Sequence, residues 1–101
     1  MTPDARAAKI AQRRRQILIH SIIYYRFGDS IIPDYKWAEW AKELTALQEQ
    51  YPEIAERGPY AEAFKDFDPS TGYNLPLGDP AAYSRAVWLL DYHNQQHRRN
   101  E

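Results

Sequence analysis

Through the first quarter of the chain, apolar side chains return at intervals of three and four. Ile10, Ile17, Ser21 and Tyr24 share one stripe, Leu18, Ile22 and Tyr25 lie beside it, and Ile19 and Ile23 widen the apolar arc beyond what one packing partner needs. The spacing predicts a helix from about Thr2 to Phe27, with Pro3 tolerated in its first turn and Gly28-Asp29-Ser30 ending it. Such a helix is either central to the fold or turns its outer side to another chain. Ile31-Ile32-Pro33 reads as extended, because the residue before a proline avoids the helical region, and Asp34 then carries a carboxylate that can cap a helix start.

The second helix is the clearest amphipathic segment. Trp37, Trp40, Ala41, Leu44, Leu47 and Tyr51 repeat at three and four residues, Lys36, Glu39, Glu43 and Gln50 take the opposite side, and Pro52 closes it. Residues 53–56 and 59–67 are each long enough for a short helix. The stretch 70–78 has the Gly, Pro, Ser and Asn content of an ordered loop and is too apolar for a linker. Asp79-Pro80 predicts a last helix, a capping carboxylate followed by a proline whose missing N–H costs nothing there, running to about Gln96. Tyr83, Ala86, Val87, Leu90 and Asn94 would line one face, with Trp88, Leu89 and Tyr92 widening it, and the polar tail from His97 would fray. The whole pattern predicts an all-α single domain over residues 1–101, a small bundle of three main helices with short helical turns.

Composition narrows the class. A chain of 101 residues has room for one core, and 44% hydrophobic with 14% aromatic residues is too rich in large apolar groups for a disordered segment. With no cysteine, neither a disulfide framework nor a thiolate nucleophile is available. The longest apolar run is broken by His20 and Ser21, far short of the ~20 residues a membrane span needs, so a cytoplasmic location is expected.

The net charge of −1 conceals an asymmetry. Residues 1–26 hold six basic side chains against Asp4, a local +5, while residues 27–82 hold eleven acids against four bases, a local −7. A basic helix thus precedes an acidic body, which suits intramolecular pairing or phosphate contact. The pI of about 6.3 lies well below that of a nucleic-acid binder, and nucleic acid stays an open partner.

The usual reaction sets are missing. The four glycines stand scattered at positions 28, 58, 72 and 78, which excludes a phosphate-cradling loop. The three histidines, at 20, 93 and 97, accompany no nucleophile elbow. His93 and His97 are one helical turn apart but lack a third metal donor. No catalytic residue, resident cofactor or metal site is therefore expected.

One constellation does carry chemistry. His20, Tyr24, Tyr25, Asp34 and Trp37 bracket the first helix end, the loop and the second helix start. Aromatic faces stack flat heterocycles and a carboxylate accepts hydrogen bonds from hydroxyls or an amide, so this corner suits a nucleoside. Arg13, Arg14, Arg15 and Arg26 could supply phosphate contacts. The same aromatics could equally pack against Trp37 and Trp40 as core, with Asp34 only a helix cap.

These residues resemble the N-terminal helical subdomain, called Ia, of bacterial NAD-dependent DNA ligases. Arg14 to Tyr25, then Ile32-Pro33-Asp34-Tyr35-Lys36-Trp37, then Leu44, Leu47, Tyr51, Pro52 and Glu53, look like that family's His-x-x-x-Tyr-Tyr, Ile-x-Asp-x-x-Tyr-Asp and Leu-x-x-Leu-Glu-x-x-x-Pro-Glu pattern, over roughly residues 13–53. The stretch from Phe67 to Leu90 looks instead like small phage-encoded ligase-like proteins. In the ligases the subdomain binds the nicotinamide mononucleotide (NMN) half of NAD and presents it to a lysine on the next domain. The resemblance therefore implies a half-site without its nucleophile. It matches Tyr24 and Tyr25 to the pair beside the nicotinamide and ribose, and Asp34 to the first acid. Trp37 stands where the family has tyrosine, and Ala38 where it has a second aspartate.

The expectation is a non-catalytic nucleotide-binding protein whose ligand is NAD, NMN or a related nucleotide, of the kind a phage would use to sequester an NAD-derived or cyclic nucleotide signal. The alternative is a protein-interaction or inhibitor module, such as a phage anti-defence protein, that keeps the Ia fold without its ligand. Self-association as a homo-oligomer is expected from the Ile19 and Ile23 surplus and the aromatic last helix.

Overall fold

The computed structural model describes residues 1–99. Its element order is α1 (Pro3–Phe27), α2 (Asp34–Gln50), α3 (Pro52–Ala55) and α4 (Pro80–Arg99), with no strand among the described residues. Both ends of α1 follow from local chemistry. Thr2 Oγ1 accepts the Ala5 N–H at 3.1 Å, and Gly28, at φ 61°, takes the left-handed conformation that lets its N–H reach the Ile23 carbonyl.

Helix α1 is the spine, packing against each of the other three helices. Ile10, Ile17, Leu18, Ile22 and Ile23 are all buried in one core with Trp40, Ala41 and Leu44 of α2, Phe64, Leu75 and Leu77 of the connecting segment, and Ala82 and Ala86 of α4. Each such aliphatic side chain contributes about 1.5–3 kcal/mol of transfer free energy, which makes this helix the main anchor of the fold. Ile23 is fully buried and Ile19 packs half-buried on the same core, so the wide apolar arc is satisfied within the chain. The first ground for self-association falls away.

Four local expectations are corrected. Asp34 does not cap α2: the N-cap is Pro33, without a side-chain hydrogen bond, and Asp34 is the first helical residue. Its carboxylate there meets the positive end of the helix dipole. Residues 59–67 form turns in place of a helix. Gly58 at φ 85° and Tyr60 at φ 60° turn the chain at its start, and one i to i+4 bond, Phe64 N–H to Tyr60 O at 3.1 Å, gives way to i to i+3 bonds. Phe64 is nonetheless fully buried.

On α4, Asp79 Oδ2 caps the helix by accepting the Ala82 N–H at 3.0 Å, and it also receives the Tyr60 hydroxyl at 2.8 Å. The inward face differs from the one expected. Small Ala82 and Ala86 let the helix approach the core, with Leu89 and Leu90 half-buried, whereas Tyr83, Val87, Trp88 and Tyr92 are exposed. The helix continues past Gln96 to Arg99 where a frayed tail was expected, and the last part of that tail, residues 100–101, lies outside the described residues. No helix of the described residues is long and apolar enough to cross a membrane.

Candidate functional site

The C-terminal half of α1, the Ser30–Pro33 connection and the first turn of α2 meet at a corner, and a cavity of about 360 Å³ opens there. His20, Tyr24, Tyr25, Asp34 and Trp37 all line it. Trp37 is half-buried and forms part of the floor. Its Nε1–H donates to Ser21 Oγ at 3.3 Å, and its ring meets Phe67 edge-on at 6.3 Å. Tyr24 and Tyr25 stand at the rim, 56% and 38% exposed and perpendicular to one another at 4.9 Å. They are not core residues. Rings exposed at the edge of a cavity can serve as stacking platforms.

Electrostatically the cavity is nearly neutral. His20 packs 5.4 Å from Trp40, its Nδ1 is buried without a partner, and burial lowers its pKa to about 4, so the ring is uncharged at neutral pH. That leaves the exposed Asp34 carboxylate as the one formal charge in the lining.

None of the four arginines lines the cavity. Arg14 is 1% exposed, and its guanidinium bonds inward to Gln48 Oε1 and to the carbonyls of Ala55 (2.6 Å), Arg57 (2.8 Å) and Pro59 (3.2 Å). It pins α3 and the following turn to α1, and no donor is left for a phosphate. Its position midway between Ile10 and Ile17 on the buried stripe was the sequence signal for this role. Arg13 pairs with Glu43 at 2.9 Å and lies 5.6 Å from the Trp40 ring. Arg15 is exposed, and Arg26 is exposed in the last turn of α1. Sequence reasoning also missed two parts of the site, the Ser21 hydroxyl under Trp37 and the loop Pro69–Gly72, which supplies a further wall.

Residues 3–58 match the family model described as the DNA ligase-like, N-terminal NAD+-binding domain. The chain belongs to this family. It is also 35% identical over 54 residues to a DNA ligase of Desulforudis audaxviator (strain MP104C), an alignment that covers 54% of this chain and 8% of that enzyme. The chain thus corresponds to a small part of the ligase it matches. No solved structure matches it. Within this ligase-like NAD+-binding domain, the family match includes the α1 and α2 walls of the cavity, with all five aromatic, histidine and carboxylate residues, and ends before the Pro69–Gly72 wall.

Proposed function

We propose that this protein is a non-catalytic binder of a nicotinamide nucleotide, holding the NMN half of NAD or a related nucleotide at the α1–α2 corner. The observation that carries this reading is the convergence of His20, Tyr24, Tyr25, Asp34 and Trp37 on one cavity of about 360 Å³, within the range of small-molecule sites. The exposed Tyr24 and Tyr25 rings suit a flat partner, and Asp34 favours a ring or ribose with hydrogen to donate or positive charge to balance. The lining contains no lysine, so a nucleotide can be held there but not transferred to an amine of the site. Holding it is the role we assign: sequestration of an NAD-derived or cyclic nucleotide signal, in the setting of a phage-infected cell.

Thermal-shift titration with NMN, NAD, ADP-ribose and cyclic nucleotides tests it. A ligand at 100 times its Kd adds about 2.7 kcal/mol, a rise on the order of 10 °C for a domain of this size. NMN and NAD should stabilise the protein, and ADP-ribose, which lacks the nicotinamide, should not. Stabilisation by none of them defeats the reading.

A second reading, a protein-interaction module, is favoured by one feature. Trp88 and Tyr92 stack at 5.4 Å on the outside of α4, each at least half exposed, with Val87 beside them. A protein target or a second copy of the chain would cover such a face. Sedimentation of the parent and of Trp88→Glu across a concentration series separates the second copy from a foreign target.

A further inference from the structure

The wall of the cavity that lies outside the family match is built onto the site, and the closeness of the fit shows how. Gly72 is buried against the floor: a Cβ there would collide with the Ser21 hydroxyl, lie 2.8 Å from Ser21 Cβ and sit 3.4 Å from Trp37 Cζ2. Only a glycine lets the backbone rest on these two residues. One position earlier, Thr71 Oγ1 is 3.1 Å from the Tyr25 hydroxyl, which ties the loop to the rim, and Tyr73 braces the other side of Tyr25 edge-on at 5.5 Å. Asp68 Oδ1 holds the turn before it, accepting both the N–H and the hydroxyl of Ser70 at 2.9 and 2.7 Å. Side chains on both sides of the family boundary thus share one hydrogen-bonded rim.

We propose that the Pro69–Gly72 loop is a specificity-determining wall that makes this a nucleoside site: it closes over the base and ribose and leaves any phosphate outside. The inference rests on the nicotinamide-nucleotide reading and narrows it. Two independent observations converge on it. The walled volume of about 360 Å³ is of single-nucleoside size, and among the described residues the lining offers no cation to a phosphate and places one carboxylate against it. Arg13 and Arg14 are spent on Glu43 and on buried carbonyls, and the exposed Arg26 stands outside the lining.

Isothermal titration of the full chain with nicotinamide riboside, NMN and NAD reads this directly, using the parent, Thr71→Val and Gly72→Ala. The parent should bind riboside and NMN with affinities within about threefold of each other, because no charge-assisted phosphate contact distinguishes them. Thr71→Val keeps the side-chain volume and loses the hydrogen bond to Tyr25, so all three ligands should weaken by about two- to tenfold. Gly72→Ala should weaken them by tenfold or more, and Thr71→Val carries the test if the alanine variant melts early. NMN binding more than about tenfold tighter than the riboside overturns the inference, as does unchanged affinity in Thr71→Val. If the parent binds none of the three, the nicotinamide reading itself fails and takes this inference with it, an outcome distinct from the other two.

Discussion

Trp37 Nε1 donates a hydrogen bond to Ser21 Oγ at 3.3 Å, joining α2 to α1 across the floor of the cavity. Ser21 itself is 2% exposed. Ser21→Ala should cost about 1–3 kcal/mol of stability, the desolvation penalty of an indole N–H left without an acceptor. Chemical denaturation of the two proteins measures it. A variant as stable as the parent would mean that the indole finds another acceptor and that the floor is not fixed by this bond.

Three consecutive arginines on α1 should respond differently to the same substitution. Arg14→Met strands the carbonyls of Ala55, Arg57 and Pro59 together with Gln48 Oε1, and roughly 3 kcal/mol or more of stability should go with it. Arg15→Met, at an exposed position, should stay within about 0.5 kcal/mol of the parent. Arg13→Met should fall between, because it gives up the Glu43 pair, 2.9 Å long but partly exposed. Urea melts of the three rank them, and equal effects at 14 and 15 would contradict the buried network.

Burial of His20 predicts an acid-sensitive fold. Its folded pKa of about 4 lies below the ordinary 6.5, so the unfolded chain takes up a proton first as pH falls. The stabilisation from keeping this ring neutral is complete above pH about 6.5 and is lost progressively as pH drops to about 4. Allowing for the exposed part of the ring, the slope in that window is on the order of 1 kcal/mol per pH unit. His20→Gln should flatten the stability profile between pH 6.5 and 4.5 relative to the parent. Parallel profiles for the two proteins would remove His20 as the cause.

Asp34 separates ligand binding from folding more cleanly than any other lining residue. It makes no side-chain cap hydrogen bond, so Asp34→Asn should move stability by no more than about 0.5 kcal/mol. Under the proposed reading the same change should weaken NMN by about three- to tenfold, through loss of a charge-assisted hydrogen bond. Titration and melting of one preparation give both numbers. Unchanged NMN affinity would place the carboxylate outside the ligand.

What could be read from the sequence depended on how local its cause is. The ends of α1, at Thr2 and Gly28, and the start of α4 at Asp79 follow from side chains within a few residues of the backbone groups they satisfy, and all were legible. The segment 59–67 was not, since the composition of a short helix is present but Gly58 and Tyr60 adopt positive φ at its start. The α4 face was misplaced because aromatic side chains were taken as inward-facing, whereas the contact uses Ala82 and Ala86. At the site, the five residues around the α1–α2 corner are close in sequence, and their convergence could be anticipated. Gly72 could not be connected to Ser21, 51 positions away by their numbering, because a glycine carries no pattern that points across the fold.

The central position of α1 bears on where this chain can be cut. The family match stops at residue 58, yet the same helix that opens it shares a core with Leu75, Leu77, Ala82 and Ala86. A fragment ending there would remove these core partners of the helix together with its packing against α4. The stretch by which the family is recognised therefore covers only part of the core that the described residues share. Any transplant of the α1–α2 corner into another protein should therefore carry α4 with it.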